Sequence, residues 1–298
     1  MLKHVTCTGI LLTLLCLPFI DYAQSADALR QQIERIVSSR NADIGVSILS
    51  FEDGDSLSVN GSMYFTMMSV TKFPQALYIL SLVDKGKLSA SQQLHFDKND
   101  LRKNSFGALK KDYPKRTCDI SLKETLRYSA GNSDNDACDK LFAISGGPQA
   151  TETYIHQLGI KDIKVSSNYA DMKQQTLYTN RSTPNAMAGL LKLFYTGSIL
   201  SDSSKSILWD IMVNTPTTSE RLKGLLPKEA VVAHKTGTYY TEARVLEAIN
   251  DVGIVQLPNG KHYAIAVYVN NSTETPEVTA KTIAEISKAA WDHFAARP

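Results

Sequence analysis

The order of elements in the sequence predicts a three-layer α/β fold: a five-stranded antiparallel sheet flanked by helices, with an all-helical region inserted. Three observations carry that expectation. Strand-like runs stand near both ends of the chain, the long stretch between them repeats apolar residues at helical spacing, and short Gly-containing turns join neighbouring strands. The sheet is expected from residues 26–62 and 214–298, the helical region from 63–213, and a site between them.

A helix from about Asp27 to Ser39 comes first. Strands Ile44–Phe51 and Ser56–Asn60 follow, joined at Asp53-Gly54, a dipeptide favoured in tight hairpins. The next helix opens at Ser69 and carries Phe73, Ala76, Leu77, Leu80 and Val83 inward; Pro74 falls near its first turn, where a missing donor costs least. Ser121 with Glu124 makes a capping box before Leu122 and Leu126. Ser133 is placed to cap the helix holding Ala137, Leu141 and Phe142. Pro148 and Gly159 bracket another helix, and Thr183-Pro184 with Gly197 repeat that signature. A helix at Asp202–Val213 precedes strands Val231–Thr238, Asp251–Leu257 and Tyr263–Asn270, the last two flanking Pro258-Asn259-Gly260. The closing helix starts at Thr275-Pro276, with Val278, Ile286 and Phe294 among its apolar positions.

The 298 residues suffice for one large or two interleaved domains, and 43% hydrophobic with 21% charged is an ordinary globular composition. A formal charge of +2 with no basic run gives no footing for a nucleic-acid partner. Residues 1–25 read as a secretory signal: Lys3, an apolar run from Val5 to Ile20, then the small-x-small site Ala23-Gln24-Ser25. That run is short for a membrane span, and no later stretch reaches the length, so no span is expected after signal removal. Neither Cys7 nor Cys16 follows the small residue that a lipid-attachment site requires. The exported chain, periplasmic or secreted, keeps Cys118 and Cys138, which can pair or stay as two buried thiols. His4, His95, His156, His234, His262 and His293 are scattered without ligand spacing, so neither a metal nor another cofactor is expected.

Three short motifs carry the chemistry: Ser69-x-x-Lys72, Ser133-Asp134-Asn135 and Lys235-Thr236-Gly237. Residues three apart on a helix share a face, so the Lys72 amine can lie beside the Ser69 hydroxyl at the positive end of the helix dipole. The second motif falls on a loop between helices and the third on a strand, where Gly237, lacking a Cβ, lets a substrate backbone or lactam ring approach the strand edge closely. Each triplet alone is a weak signal. All three in this order form the set known from class A β-lactamases and penicillin-binding proteins.

With Tyr128-Ser129 ahead of the second motif and His234 and Thr238 flanking the third, the exported chain resembles class A serine β-lactamases throughout. Gly146-Gly147-Pro148, Glu220-Arg221-Leu222-Lys223-Gly224, Cys138-Asp139 and Asn250-Asp251 resemble the extended-spectrum subgroup. The resemblance implies a monomeric, cofactor-free enzyme acting on β-lactams. Ser69 would be acylated, Lys72 would activate it, and Ser133 would relay a proton to the lactam nitrogen. Asn135 would bind the substrate's side-chain amide, while Asp134 braces the loop. Lys235, Thr236, Gly237, Thr238 and Arg221 would hold the substrate carboxylate side, with the Ser69 and Thr238 N–H groups as oxyanion hole. Phe106 reads either as an aromatic wall of the site or as a core residue, and His234 as a packed strand residue.

One position departs from the pattern. The glutamate that in class A enzymes activates the deacylating water falls, by a gap-free count, on Tyr169, within Asn168-Tyr169-Ala170-Asp171-Met172; the loop then looks about two residues short before Tyr178-Thr179-Asn180. A phenol with a reference pKa near 10 is a poor general base at neutral pH. Asp171 offers a carboxylate two residues on. Three readings stay open: a β-lactamase with a substitute base, a slowly deacylating penicillin-binding, peptidoglycan-acting or sensor protein, and a non-enzymatic module keeping only the scaffold.

Overall fold

The computed structural model describes residues 18–172, 179–240 and 246–296. Most of the expected signal, with Lys3, His4, Cys7 and Cys16, lies outside them, as does Tyr178 and the proposed shortening of its loop. Helix α1 spans Pro18–Ser38, starting well before Asp27. No glycine or second proline interrupts that stretch, and a proline at the first turn is tolerated, so the helix runs through Ala23-Gln24-Ser25.

Strands β1 (Asp43–Ser50) and β2 (Ser56–Val59) pair antiparallel, Ile48 opposite Leu57, around the expected hairpin turn. After a two-residue strand β3 (Phe65–Thr66) and a 3₁₀ turn at Met68–Thr71, helix α2 runs Lys72–Asp84. Then come β4 (Gln93–Phe96), α3 (Leu109–Asp112), β5 (Cys118–Ser121) and α4 (Leu122–Leu126), the last continuing into a π turn at Arg127–Gly131. Helices α5 (Asn135–Ser145) and α6 (Pro148–Gln157), strand β6 (Ile163–Lys164), the single turn α7 (Tyr169–Met172) and strand β7 (Arg181–Ser182) follow. Helices α8 (Pro184–Thr196) and α9 (Asp202–Val213) lead into strands β8 (Val231–Tyr240), β9 (Leu246–Gln256) and β10 (His262–Ser272), and α10 (Pro276–Ala295) closes the chain. The short strands β3 to β7 form two small ribbons, β3-β7-β6 and β4-β5, that the sequence did not announce. Two to four residues are too few to show a period.

The main sheet has the order β2-β1-β10-β9-β8, all antiparallel, so strands from the two ends of the sequence interleave as expected. Alternate residues of β10 serve opposite faces. Tyr263, Ile265, Val267 and Val269 join α1 and α10 in one apolar core through Leu29, Ile33, Ile283 and Phe294. Ala264, Ala266 and Tyr268 face the other core, shared with α2, α8 and α9 through Phe73, Leu190 and Leu208. Both faces being covered gives the three layers.

Capping follows the sequence with two amendments. The Ser121 hydroxyl accepts the Glu124 N–H at 3.1 Å, but the Glu124 carboxylate turns to Arg127, so the box is half closed. Helix α5 is capped by Asp134, not Ser133: one carboxylate oxygen accepts the Asp136 and Ala137 N–H groups, each at 2.9 Å. A carboxylate at a helix N-terminus accepts two donors and meets the positive dipole end, which leaves the Ser133 hydroxyl for other work.

Thr275 caps α10 by accepting the Val278 N–H at 3.3 Å. Thr275→Ala should lower stability by about 1 kcal/mol, read as a lower urea midpoint at unchanged slope. An unchanged midpoint would mean that α10 starts without its cap.

Candidate active site

Ser69 is half-buried in the 3₁₀ turn that leads into α2. The residue before it, Met68, has φ +51°, a left-handed conformation that is strained for an L side chain. Strand β8 lies directly against this turn: a Cβ on Gly237 would stand 2.4 Å from the Met67 carbonyl oxygen and 3.3 Å from the Ser69 nitrogen. Gly237 therefore serves a contact inside the protein, which brings the backbones of Ser69 and of Thr238 side by side.

Lys72 has no exposed surface. Its Nζ lies 2.9 Å from Ser69 Oγ, 2.8 Å from the Ser133 carbonyl oxygen and 2.7 Å from Asn135 Oδ1. Burial lowers its pKa to about 8, against the smaller upward pull of neighbouring anionic groups. The geometry suits both states. A charged ammonium donates to all three oxygens; a neutral amine donates to two and accepts the Ser69 hydroxyl proton. An amine base within reach of a serine hydroxyl is the pairing that acyl transfer requires.

Ser133 also sits at positive φ, +60°. Its carbonyl faces Lys72, and its Oγ lies 3.0 Å from Lys235 Nζ, which also donates to the Thr236 carbonyl at 2.8 Å. Lys235 is fully buried; burial and then the charge of Lys72 hold its pKa well below the usual lysine range. Thr236 hydrogen-bonds through Thr217 and Thr215 to the Gly131 carbonyl of the π turn. Arg221 is buried behind β8: Nη1 donates to the Gly237 and Asn250 carbonyls, Nη2 to Thr238 Oγ1 at 2.6 Å. Its charge thus reaches the site through Thr238. Phe106 is 66% exposed, so it is no core residue; its carbonyl accepts the Asn135 N–H at 3.0 Å.

The position expected for a glutamate holds a buried phenol at the serine itself. Tyr169 Oη is 3.3 Å from Ser69 Oγ, and Lys72 Nζ lies 4.2 Å from the centre of its ring. Burial raises the Tyr169 pKa well above its ordinary value. The main chain there is held by Asp139, which accepts the Tyr169 N–H at 2.7 Å and the Ala170 N–H at 3.0 Å. Arg102 in turn pairs with Asp139 at 2.7 Å and with Asp136 at 2.8 Å. Asp171 is exposed, and among the described residues no hydrogen bond joins its carboxylate to Ser69, Lys72 or Tyr169. Ser69, Lys72, Ser133, Asn135, Lys235 and Tyr169 thus meet in one cluster; Asp171 stands apart from it.

The sequence left roles unassigned for Gln75, Arg102, Asp139 and Asn250. Gln75 carried a signal: it is a polar residue one turn beyond Lys72 on a core helix. It is fully buried, donates to the Cys138 carbonyl and accepts from Cys138 Sγ. Cys118 and Cys138 are both free buried thiols, and burial pushes the Cys138 thiol up to about 12. His234 is a packed strand residue, bonded through Nδ1 to both Asp251 oxygens at 3.0 Å. Among the described residues no three His, Cys, Asp or Glu side chains gather to hold a metal.

This fold, with a serine and a buried lysine at the head of a core helix beside a Lys-Thr-Gly strand, defines the serine β-lactamase and transpeptidase class. Residues 28–294 match the Beta-lactamase enzyme family, and the chain belongs to it. It is 38% identical over 291 residues to Beta-lactamase VEB-1 of Pseudomonas aeruginosa, covering 96% of this chain and 97% of that protein. The crystal structure of TLA-1 extended-spectrum beta-lactamase superposes with a TM-score of 0.88 at 40% identity, covering 91% of this chain and 99% of that one. A class A beta-lactamase from Bacteroides cellulosilyticus superposes at 0.87 with 32% identity, over 92% of this chain and 99% of that one.

Gly237→Ala should force β8 and the Ser69 turn apart, at a cost of about 1–3 kcal/mol in overpacking. The expected result is a lowered melting temperature together with slower labelling of Ser69 by a fluorescent penicillin. Unchanged values of both would show that the two backbones part freely.

Proposed function

We propose that the protein hydrolyses β-lactams through an acyl-enzyme on Ser69, and that release of the acyl group, not its formation, sets the rate. The observation that carries the first half is the Lys72 Nζ–Ser69 Oγ contact of 2.9 Å inside a buried, fully partnered network. The names of the relatives, beta-lactamases matching nearly the whole chain, support the substrate class. The TLA-1 relative, named extended-spectrum, supports placement in that subgroup.

Neutral Lys72 takes the Ser69 proton as Oγ attacks the lactam carbonyl. The oxyanion forms between the Ser69 and Thr238 N–H groups, which the Gly237 contact brings together. Ser133 Oγ, steadied by Lys235, relays the proton: it gives its own to the nitrogen as the lactam C–N bond breaks and is reprotonated from the Lys72 ammonium, which returns to the neutral amine. A substrate carboxylate supplies the counter-charge that favours protonated Lys235, with Thr236 and Thr238 beside it and Arg221 acting through Thr238. Asn135 meets the substrate's side-chain amide, Phe106 lines the exposed rim, and Asp134 braces the loop.

Release lacks its usual base. Tyr169 stands against Ser69 with its pKa raised, so it donates a hydrogen bond but does not take a proton from water at neutral pH. A second reading, a slowly releasing penicillin-binding protein, rests on this same tyrosine, and turnover separates the two. The remaining proposals follow the family pattern: a periplasmic or secreted monomer whose sheet and helical parts, 26–62 with 214–298 and 63–213, flank the site.

Excess penicillin followed by intact mass should show an adduct that accumulates while substrate is slowly consumed. Rapid consumption with no adduct would overturn release limitation; a permanent adduct without turnover would overturn hydrolysis. Ser69→Ala should show no adduct. Tyr169→Glu should speed release, within the roughly 10²–10⁴-fold that a positioned base contributes.

The pH dependence follows from Lys72. Below about 8 the amine is protonated and cannot accept the Ser69 proton. The acylation rate constant should therefore climb as pH rises towards about 8 and level above it. A flat profile between pH 6 and 8 would remove Lys72 as the base.

A further inference from the structure

An asparagine in the middle of a sheet covered on both faces needs a reason, because a buried amide without partners is costly and asparagine is depleted in strands. Asn250 is such a residue: it lies on β9, fully buried, directly opposite Gly237 of β8. Its side-chain Nδ2 donates to the Thr66 carbonyl at 2.8 Å and to the Met67 carbonyl at 3.2 Å. Its Oδ1 accepts the Val269 N–H of β10 at 3.2 Å. That last bond fixes the amide's orientation, since a flipped amide would set its oxygen against two carbonyl oxygens.

Both donors thus end on the two peptide groups just before strained Met68 and Ser69. The main-chain carbonyl of the same residue accepts Arg221 Nη1 at 2.9 Å. That guanidinium also holds the Gly237 carbonyl at 3.1 Å and Thr238 Oγ1 at 2.6 Å. A single residue therefore grips the chain on each side of the two N–H groups assigned to the oxyanion, one through its side chain and the other through Arg221.

We propose that Asn250 is the positioning residue that sets the distance and angle between the two oxyanion donors, Ser69 N–H and Thr238 N–H. The inference rests on the acyl-enzyme reading above. Asn250 touches no reacting atom. It opposes the tendency of a strained turn to relax, and it does so from the strand that also anchors the other donor. A donor misplaced by a fraction of an ångström loses much of its worth, because the oxyanion must meet both N–H groups at once.

The test uses Asn250→Ala beside Ile283→Ala, a core truncation in α10 on the far face of the sheet. Phenylboronic acid, which forms a tetrahedral adduct on an active serine without any need for deacylation, reports on the oxyanion hole. The carbonyl stretching band of an isotope-labelled penicilloyl ester gives an independent reading, since two good hydrogen bonds lower its frequency. Asn250→Ala should weaken boronate binding by about tenfold or more and move the ester band to higher frequency. Ile283→Ala should lower the melting temperature and shift neither. If Asn250→Ala does not fold, Asn250→Asp carries the same expectation: it keeps the shape and the acceptor for Val269 but turns both donors into acceptors. A variant that loses only melting temperature, with boronate affinity and ester band at wild-type values, would overturn the proposal. Wild-type protein forming neither adduct would instead sink the acyl-enzyme reading, a separate outcome.

Discussion

The site depends on an amine kept out of water. Lys72 has no exposed surface, and moving a charge into such a place is costly unless every polar partner is supplied. Here Ser69, Ser133 and Asn135 supply them, so one side chain ties the head of α2 to the loop before α5. The same burial lowers the pKa to about 8, and that makes the residue a usable base rather than a fixed cation. Lys235 feels the same burial and, after it, the charge of Lys72. Two buried lysines repel when both are charged, and each is eased when an anion arrives. An anionic substrate is thus favoured by the site's own electrostatics.

Around that amine the backbone is held in shapes it would not choose. Met68 and Ser133 both lie at positive φ, and the chain before Ser133 passes through a π turn. Such features persist only where the surroundings over-determine them. The surroundings here are identifiable: Asn250 and Gly237 on the sheet, Asp134 at the cap of α5, and the threonine relay from Thr236 to Gly131. Strand and helix meet at these contacts, so the rigidity of the sheet is passed to the serine.

Tyr169 sets a phenol, not a carboxylate, against the serine. Asp139 and Arg102 hold its main chain firmly, and the phenol fills the space against Ser69 and Lys72. A carboxylate at that point would add an anion beside Lys72 and a base for water. The aromatic ring adds neither, and the pKa of the amine stays where its burial puts it. Asp171 stands apart from this contact, because the turn that aims Tyr169 inward leaves Asp171 exposed.

The sequence by itself determined the layered fold and the sheet built from both chain ends, and it singled out Ser69, Lys72, Ser133 and Lys235, which the structure brings together. Those follow from local rules. Periodicity marks long helices and strands, proline, glycine and threonine mark their ends, and helical spacing alone sets Lys72 beside Ser69. Tertiary structure decided what local rules leave open. It chose Asp134 over Ser133 as the cap, kept Cys118 and Cys138 as separate thiols, turned Phe106 to solvent and put Arg221 against β8. It also gave Asn250 its part, joining residues that stand nearly two hundred positions apart in the chain. The direction of a side chain is set by what packs against it, and here those neighbours come from distant elements.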